Sequence, residues 1–168
     1  PALSGAGRRL YIISDYPVNN WRPDDFETVM AAVEAGAGLL MIGGWESFHG
    51  QAGHYGLSPL AAALPVHMRE EDDRVNSFQP WAVERAAAHA ITHGLPLNRP
   101  PTVGGFNRID PKGEAETILT LRRIEIEATR EALECRPAER APLLVVGSHG
   151  AGRTAAFASD VAPHWVGT

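Results

Sequence analysis

Apolar positions along this chain gather into short dense runs near its two ends and thin out between them. "RLYIISDYP", residues 9–17, is apolar and β-branched and stops at Pro17, which predicts a buried strand. In "WRPDDFETVMAAVEAGAG" the period changes. Phe26, Val29, Met30 and Val33 recur at helical spacing, Pro23 suits a first turn, and Gly36 is a plausible stop. Asp24, Asp25 and Glu27 fall near the positive end of that helix's dipole. "GLLMIGG", residues 38–44, then reads as a second buried strand. Strand, helix, strand with short joins is a βαβ unit, so the two strands should be parallel with a right-handed crossover.

Beyond Gly50 the pattern loosens. "SPLAAAL" predicts a short helix with Ser58 as cap and Pro59 in its first position. "MREEDDRV" is charged and should be exposed at least in part. Its Asp73 and Arg74 suit a surface ion pair or a loop anchor, with a ligand role as the alternative. "WAVERAAAHAITHGLP" reads as a helical stretch ending before Gly94, and "PPTVGGFNRIDPKG" as a loop-rich segment. "ETILTL" predicts a third strand and "EIEATREALECRPAERA" a surface excursion. "APLLVVGSHGAGRTAAFASD" predicts two strands joined at "SHGAG" as a hairpin. The sum is one α/β domain with roughly five strands, partly parallel, with an antiparallel hairpin late in the chain.

Composition narrows the function classes. The net charge of -5 comes without a basic patch, which argues against a nucleic-acid partner. A single cysteine, Cys135, excludes a disulfide within the 168 residues and a Cys-rich metal site, and it fits a reducing compartment. No run approaches the ~20 apolar residues of a membrane span, and "PALSGAGRRL" lacks the apolar core of a signal peptide. Cytoplasm is the expected location, with no membrane partner.

In α/β sheets ligands sit beyond the carboxyl ends of the strands. Three polar groups fall there: Glu46, Ser47, His49 and His54 after the second strand; Asn107 and Arg108 in "GGFNR"; and Ser159, Asp160 and His164 in "SDVAPHW". Their residue types leave several chemistries open. Glu46 or His49 could act as general acid or base, with the amides after Gly43 and Gly44 holding an anion or carbonyl oxygen. Asp160 and His164 would complete that site, with Asn107 and Arg108 orienting a carboxylate or sugar. A Ser-His-Asp triad needs an exposed nucleophile, and no "GxSxG" elbow is present. His49, His54, His164 and Asp160 could together take a divalent metal. "GSHGAGR" lacks the Lys-Ser/Thr ending of a phosphate loop, and a hairpin turn accounts for its glycines. Against each stands a plainer reading: a Gly pair as a sharp turn, lone histidines as surface residues (His67, His89 and His93 among them), and Trp45, Trp81 and Trp165 as packing.

"LLMIGGWESFHG…GHYGLSPLAAALPV", then "DDRV", "GGFNR" and "GRTAAFASDVAPHW", taken in this order, resemble the glutamine amidotransferase-like family. That family lies in the class I glutamine amidotransferase-like superfamily, beside trehalose-utilisation-type proteins. The resemblance runs from about Leu10 to Trp165. It implies a flavodoxin-like three-layer sandwich with a mostly parallel central sheet, and it makes Gly43 and Gly44 look like an inherited oxyanion turn. It also implies a cysteine on a "GxCxG" elbow activated by a histidine. This sequence has no such elbow, and Cys135 lies in "LECRPAE". The expectation is therefore a family member without glutaminase chemistry, its pocket binding a small polar or anionic ligand. Glu46, His49, Asp160 and His164 are its catalytic candidates, and Gly43, Gly44, Ser47, His54, Asn107 and Arg108 its ligand-binding ones. No metal or cofactor is assigned. A non-catalytic binding or assembly module and a metal-dependent hydrolase are the alternatives. Family members usually carry further strands before the first run and a helix after "PHW", so residues 1–168 resemble a single domain shortened at both ends. An uncovered sheet edge would then favour a homo-oligomer.

Overall fold

The computed structural model describes residues 7–166. Nine strands and two α-helices follow one another as β1 (Leu10–Ser14), α1 (Pro23–Glu34), β2 (Gly38–Ile42), α2 (Leu60–Ala63), β3 (Val66–His67), β4 (Arg74–Arg85), β5 (Thr102–Asn107), β6 (Asp110–Pro111), β7 (Glu116–Ala128), β8 (Leu133–His149) and β9 (Gly152–Phe157). Seven form one sheet in the order β1-β2-β9-β8-β7-β4-β5, while β3 and β6 pair separately.

The opening βαβ unit forms as its periodicity predicts. β1 and β2 are parallel with Tyr11 beside Leu39 and Ile13 beside Met41, and β9 adds to β2 in parallel. Their inward residues Tyr11, Ile13, Leu39, Met41 and Ala156 are buried against Val29 and Val33 of α1. Each valine or leucine so buried contributes about 1.5–3 kcal/mol. Asp25, in the first turn of α1, accepts a hydrogen bond from the Arg22 backbone amide at 3.3 Å. This ties the entering chain to the helix start. Asp25 also pairs with the Arg22 guanidinium at 2.9 Å.

The rest of the sheet departs from the expectation of a mostly parallel one. β9-β8, β8-β7, β7-β4 and β4-β5 are all antiparallel. Neighbours in sequence joined without a crossover helix, as β4-β5, β7-β8 and β8-β9 are, meet antiparallel. A three-layer sandwich also needs helices on both faces, and among the described residues α1 and the four-residue α2 are the only α-helices. The architecture is thus mixed α/β around a seven-stranded, mostly antiparallel sheet. The late hairpin is present as β8-β9, with Gly150 and Ala151 of "SHGAG" forming its turn.

Two segments are corrected. "WAVER" is strand, not helix: Trp81, Ala82 and Val83 are buried between β5 and β7, and only Ala90–Thr92 makes a helical turn, of the 3-10 type. Sheet pairing on both sides overrides the helix preference of the alanines. "TVGGFN" is a strand rather than a loop. A β-carbon on Gly105 would stand 2.3 Å from Trp165 Nε1, so this glycine marks a close approach across a strand, not a turn. The predicted Ser58 cap is also absent, because its hydroxyl donates back to the Tyr55 carbonyl at 2.8 Å.

Candidate functional site

The carboxyl ends of β1, β2 and β9 meet the end of β5 at one side of the sheet, and the polar residues there divide into two sets. The first is buried and saturated. Gly43 N–H donates to the Phe157 carbonyl at 2.7 Å, and Gly44 N–H donates to Asn107 Oδ1 at 2.9 Å. The Asn107 amide returns two hydrogen bonds, to the Gly44 carbonyl at 3.1 Å and to Asp73 Oδ1 at 2.8 Å. Asp73 further accepts from Gly50 N–H at 2.9 Å and from His49 N–H at 3.0 Å. Burial pushes the Asp73 carboxyl above its ordinary value, while Asn107, the two amides and the nearby His49 pull it back. The whole 43–50 turn is therefore stapled to β4 and β5 through two side chains. Gly43 fits this packing: a β-carbon there would lie 2.2 Å from the Ala158 carbonyl oxygen.

Asp15 closes the other flank. Its N–H donates to Ser47 Oγ at 3.0 Å, and its Oδ1 accepts from Glu46 N–H at 2.7 Å. Asp15, Phe48 and His54 are the non-glycine residues of the described chain with left-handed φ, at 47°, 51° and 50°. Such conformations persist where surrounding bonds over-determine them, and they cluster at functional sites.

The second set faces solvent. Asp160, 2 % exposed, holds His164 Nε2 at 3.1 Å from its Oδ2, while the His164 side chain remains 44 % exposed. Asp160 Oδ1 accepts from Ala162 N–H at 3.2 Å. Burial raises the Asp160 carboxyl above its ordinary value, His164 opposes this, and Asp15 adds to it. Beside His164 stands Trp45, with ring centroids 6.2 Å apart. Arg74 lies over Trp45 at 4.5 Å from the ring and is gripped from behind by Asp72 at 2.6 Å. Arg74, Asp72 and Arg108 then line a shallow cleft of about 320 Å³.

The sequence candidates separate along this line. Asp160 and His164 meet, as the strand-end argument expects. His49 and His54 stack edge-on at 4.7 Å. Among the described residues no three of His, Cys, Asp and Glu gather as a metal site, so the four-ligand metal set is not assembled. Ser47, Ser159 and Asn107 are buried and engaged internally, the Ser159 hydroxyl donating to the Gly105 carbonyl at 2.8 Å. No Ser-His-Asp triad is present among them. Glu46 is half-buried, and its carboxylate has no hydrogen-bond partner among the described residues. Cys135 is exposed and paired opposite Ile126 on β7 and β8. Of the tryptophans, Trp81 and Trp165 pack inside, but Trp45 is 41 % exposed. Of the charged pair, Asp73 is the loop anchor, and Arg74 pairs with Asp72 instead. Asp15, Asp73 and Trp45 are the residues underweighted by sequence. Asp15 falls inside the strand predicted over residues 9–17, whereas β1 ends at Ser14 and leaves Asp15 at its carboxyl end.

A βαβ unit continued by antiparallel strands, with a stapled glycine turn and a polar rim at its strand ends, defines a mixed α/β domain. Residues 5–168 match the family described as "Putative glutamine amidotransferase", and the chain belongs to that family. The chain is similar to two cytoplasmic proteins of Salmonella typhimurium. STM3548 is 30% identical, with a TM-score of 0.77, and the match covers 94% of this chain and 62% of that one. STM1381 is also 30% identical, with a TM-score of 0.74 and the same coverage. The chain thus spans less than two thirds of the length of either. A ThuA-like protein from Parabacteroides merdae shares the fold at 14% identity and a TM-score of 0.55, over 89% of this chain and 58% of that one. No curated protein matches the chain. Among the described residues no helix is long and apolar enough to cross a membrane.

Proposed function

We propose that this domain keeps the amidotransferase-like scaffold without its cysteine chemistry and binds a small polar or anionic ligand at the strand ends, over Trp45 between Arg74 and His164. The observation that carries this reading is a half-exposed imidazole 3.1 Å from a buried Asp160 oxygen that has no hydrogen-bond partner among the described residues, beside an exposed tryptophan and a tethered guanidinium. A half-exposed histidine beside a carboxyl group can pass a proton to or from a bound ligand. Arg74 supplies a planar donor for a carboxylate or phosphate. The amides of Gly43 and Gly44 are engaged by Phe157 and Asn107, so the anion would be held by the rim side chains rather than by an oxyanion turn. Cysteine-dependent glutamine hydrolysis is not expected, because Cys135 is exposed on a strand that carries none of these groups. Cytoplasmic location is proposed with it, after the two Salmonella relatives so named.

The test is thermal-shift and calorimetric titration of the protein, His164→Ala and Trp45→Ala with a panel of small carboxylates, phosphates and sugars. At least one compound should stabilise the parent and lose most of its effect in both variants. If none shifts the parent, or if shifts persist in both variants, the rim is not a ligand site. Ammonia release from glutamine should be absent. A rate that disappears in Cys135→Ser would restore the cysteine chemistry.

A further inference from the structure

Two short ladders build the cleft beside the rim. β3 pairs with β6 through His67 and Asp110, and β4 pairs with β5 through Arg74 and Asn107. Between these pairs, residues 68–73 and 108–109 are closed against each other. The Arg108 N–H donates to the Asp73 carbonyl at 2.7 Å and fixes that closure. Asn107 and Ile109 are buried, so strand alternation leaves the Arg108 side chain outside. Arg69, Arg74 and Arg108 thereby reach one cleft of about 320 Å³ from both sides of the closure.

These side chains keep most of their donors unused. Arg74 commits Nε and Nη2 to Asp72, which leaves Nη1 without a partner among the described residues. The Arg108 guanidinium is exposed and has no partner among them at all. Arg69 is held only by Asp110, at 3.6 Å, too far for a hydrogen bond. Its Nε is closed to solvent and finds no acceptor. A buried N–H in that state is unfavourable, so turning this guanidinium onto an oxygen in the cleft relieves it. Asn76 accepts from Trp165 Nε1 through Oδ1 at 2.8 Å, so its amide nitrogen adds two further donors. The acids are placed differently. Asp72 is taken by Arg74, and Asp73 by Asn107 and two backbone amides. Glu71, exposed and without a hydrogen-bond partner, is the one uncommitted carboxylate among the described residues that line the cleft.

We propose that this cleft binds a phosphate group, held by Arg69 and Arg108 with Arg74 Nη1 and the Asn76 amide as further donors. Net charge does not select the ligand, because Glu71 and Asp72 stand against the arginines. The donors do. One guanidinium fork satisfies a planar carboxylate, whereas a phosphate presents acceptor oxygens in several directions. N–H groups converging from three arginines and an amide match the second. Arg74 lines the cleft and also lies over Trp45 at 4.5 Å, so a ligand with its phosphate in the cleft can lay its body on the rim. That the ligand is a phosphate monoester rests on the rim reading, while the phosphate site itself does not.

The test is calorimetric titration with inorganic phosphate and with phenyl phosphate, the ionic strength held constant with sodium chloride so that screening does not vary. Inorganic phosphate should bind the parent. Arg69→Ala and Arg108→Ala should each weaken it by roughly tenfold or more, as the loss of charge-assisted hydrogen bonds does. Glu71→Gln should bind it more tightly, since a repelling carboxylate is gone. All three positions are at least partly exposed, so melting temperatures should be unchanged. Trp45→Ala should leave inorganic phosphate binding as it is. Phenyl phosphate should bind the parent more tightly than inorganic phosphate, and Trp45→Ala should remove that margin. A parent that binds no phosphate overturns the proposal, as does binding that survives both arginine variants. Weaker binding in Glu71→Gln overturns it too. If phosphate binds through the two arginines and phenyl phosphate gains no margin, the cleft stands as a site for free phosphate and the rim reading is what fails.

Discussion

Two sets of polar side chains stand within one loop system and do opposite work. Asp73 and Asn107 are buried, and between them their side-chain oxygens and amide engage three backbone N–H groups, one carbonyl and each other. Trp45 and His164 are exposed, and Arg74 beside them is held by the partly exposed Asp72 rather than by backbone groups. Residue type does not distinguish them, since an acid and its neighbours appear in both sets. What differs is whether the hydrogen-bonding capacity is used up inside. A buried group must be satisfied or the fold loses about 1–3 kcal/mol per orphan, whereas a rim group can keep capacity for a ligand.

The comparison is most sharply tested at Asp73. Asp73→Ala leaves His49 N–H, Gly50 N–H and one arm of the Asn107 amide without acceptors. The expected loss of stability in urea unfolding is about 3–5 kcal/mol, several orphans acting together. A loss under 1 kcal/mol would mean that the turn is not stapled as described. Asn107→Leu should follow at about 2–3 kcal/mol, since it frees Gly44 N–H and a carbonyl while keeping volume.

Asp73 also shows where sequence legibility ends. β1, α1 and β2 were readable because each is local: an apolar run, a helical period, a second run. β4 was not, because "WAVERAAAHA" carries helix-forming alanines, and only the strands on either side of Trp81–Val83 hold it extended. The same holds at the site. Asp160 and His164 are four apart in one segment just after a strand, so their proximity is a local feature. Asp73 meets Asn107 across 34 residues and Gly44 meets it across 63, separations at which no spacing argument operates. The outer part of the β7–β8 hairpin, residues 124–137, was legible only as an excursion. Its alternating "EIEA" needs the pairing partner "LECR" before it reads as a two-faced ribbon.

Asp160 should reveal itself through pH rather than through a large change at neutrality. Its carboxyl is raised above the ordinary 3.8 by burial. A raised carboxyl keeps its proton longer in the folded state than in the unfolded one, so its contribution is full below the unfolded value and fades as pH rises through the folded one. Stability of the parent should therefore decline over the acid range just above pH 3.8 by more than that of Asp160→Asn, in which this group no longer titrates. Parallel profiles from chemical unfolding across that range would show that burial does not raise the Asp160 carboxyl on balance.

The smallest effect belongs to the rim, and its smallness is the point. Trp45→Ala removes an exposed ring and the surface under Arg74. A cation–π contact at an exposed site contributes about 0.5–1 kcal/mol, and Arg74 keeps its bond to Asp72. Stability should fall by no more than about that amount. In a cycle with Arg74→Ala the coupling should not exceed it either, as surface pairs of this kind are weak. Ligand binding should respond in the opposite sense, with Trp45→Ala and His164→Ala costing far more affinity than stability. If Trp45→Ala instead destabilises by 3 kcal/mol or more, on the order of a core truncation, then Trp45 belongs with Asp73 as a builder of the turn, and the division between the two sets fails at the residue that defines the rim.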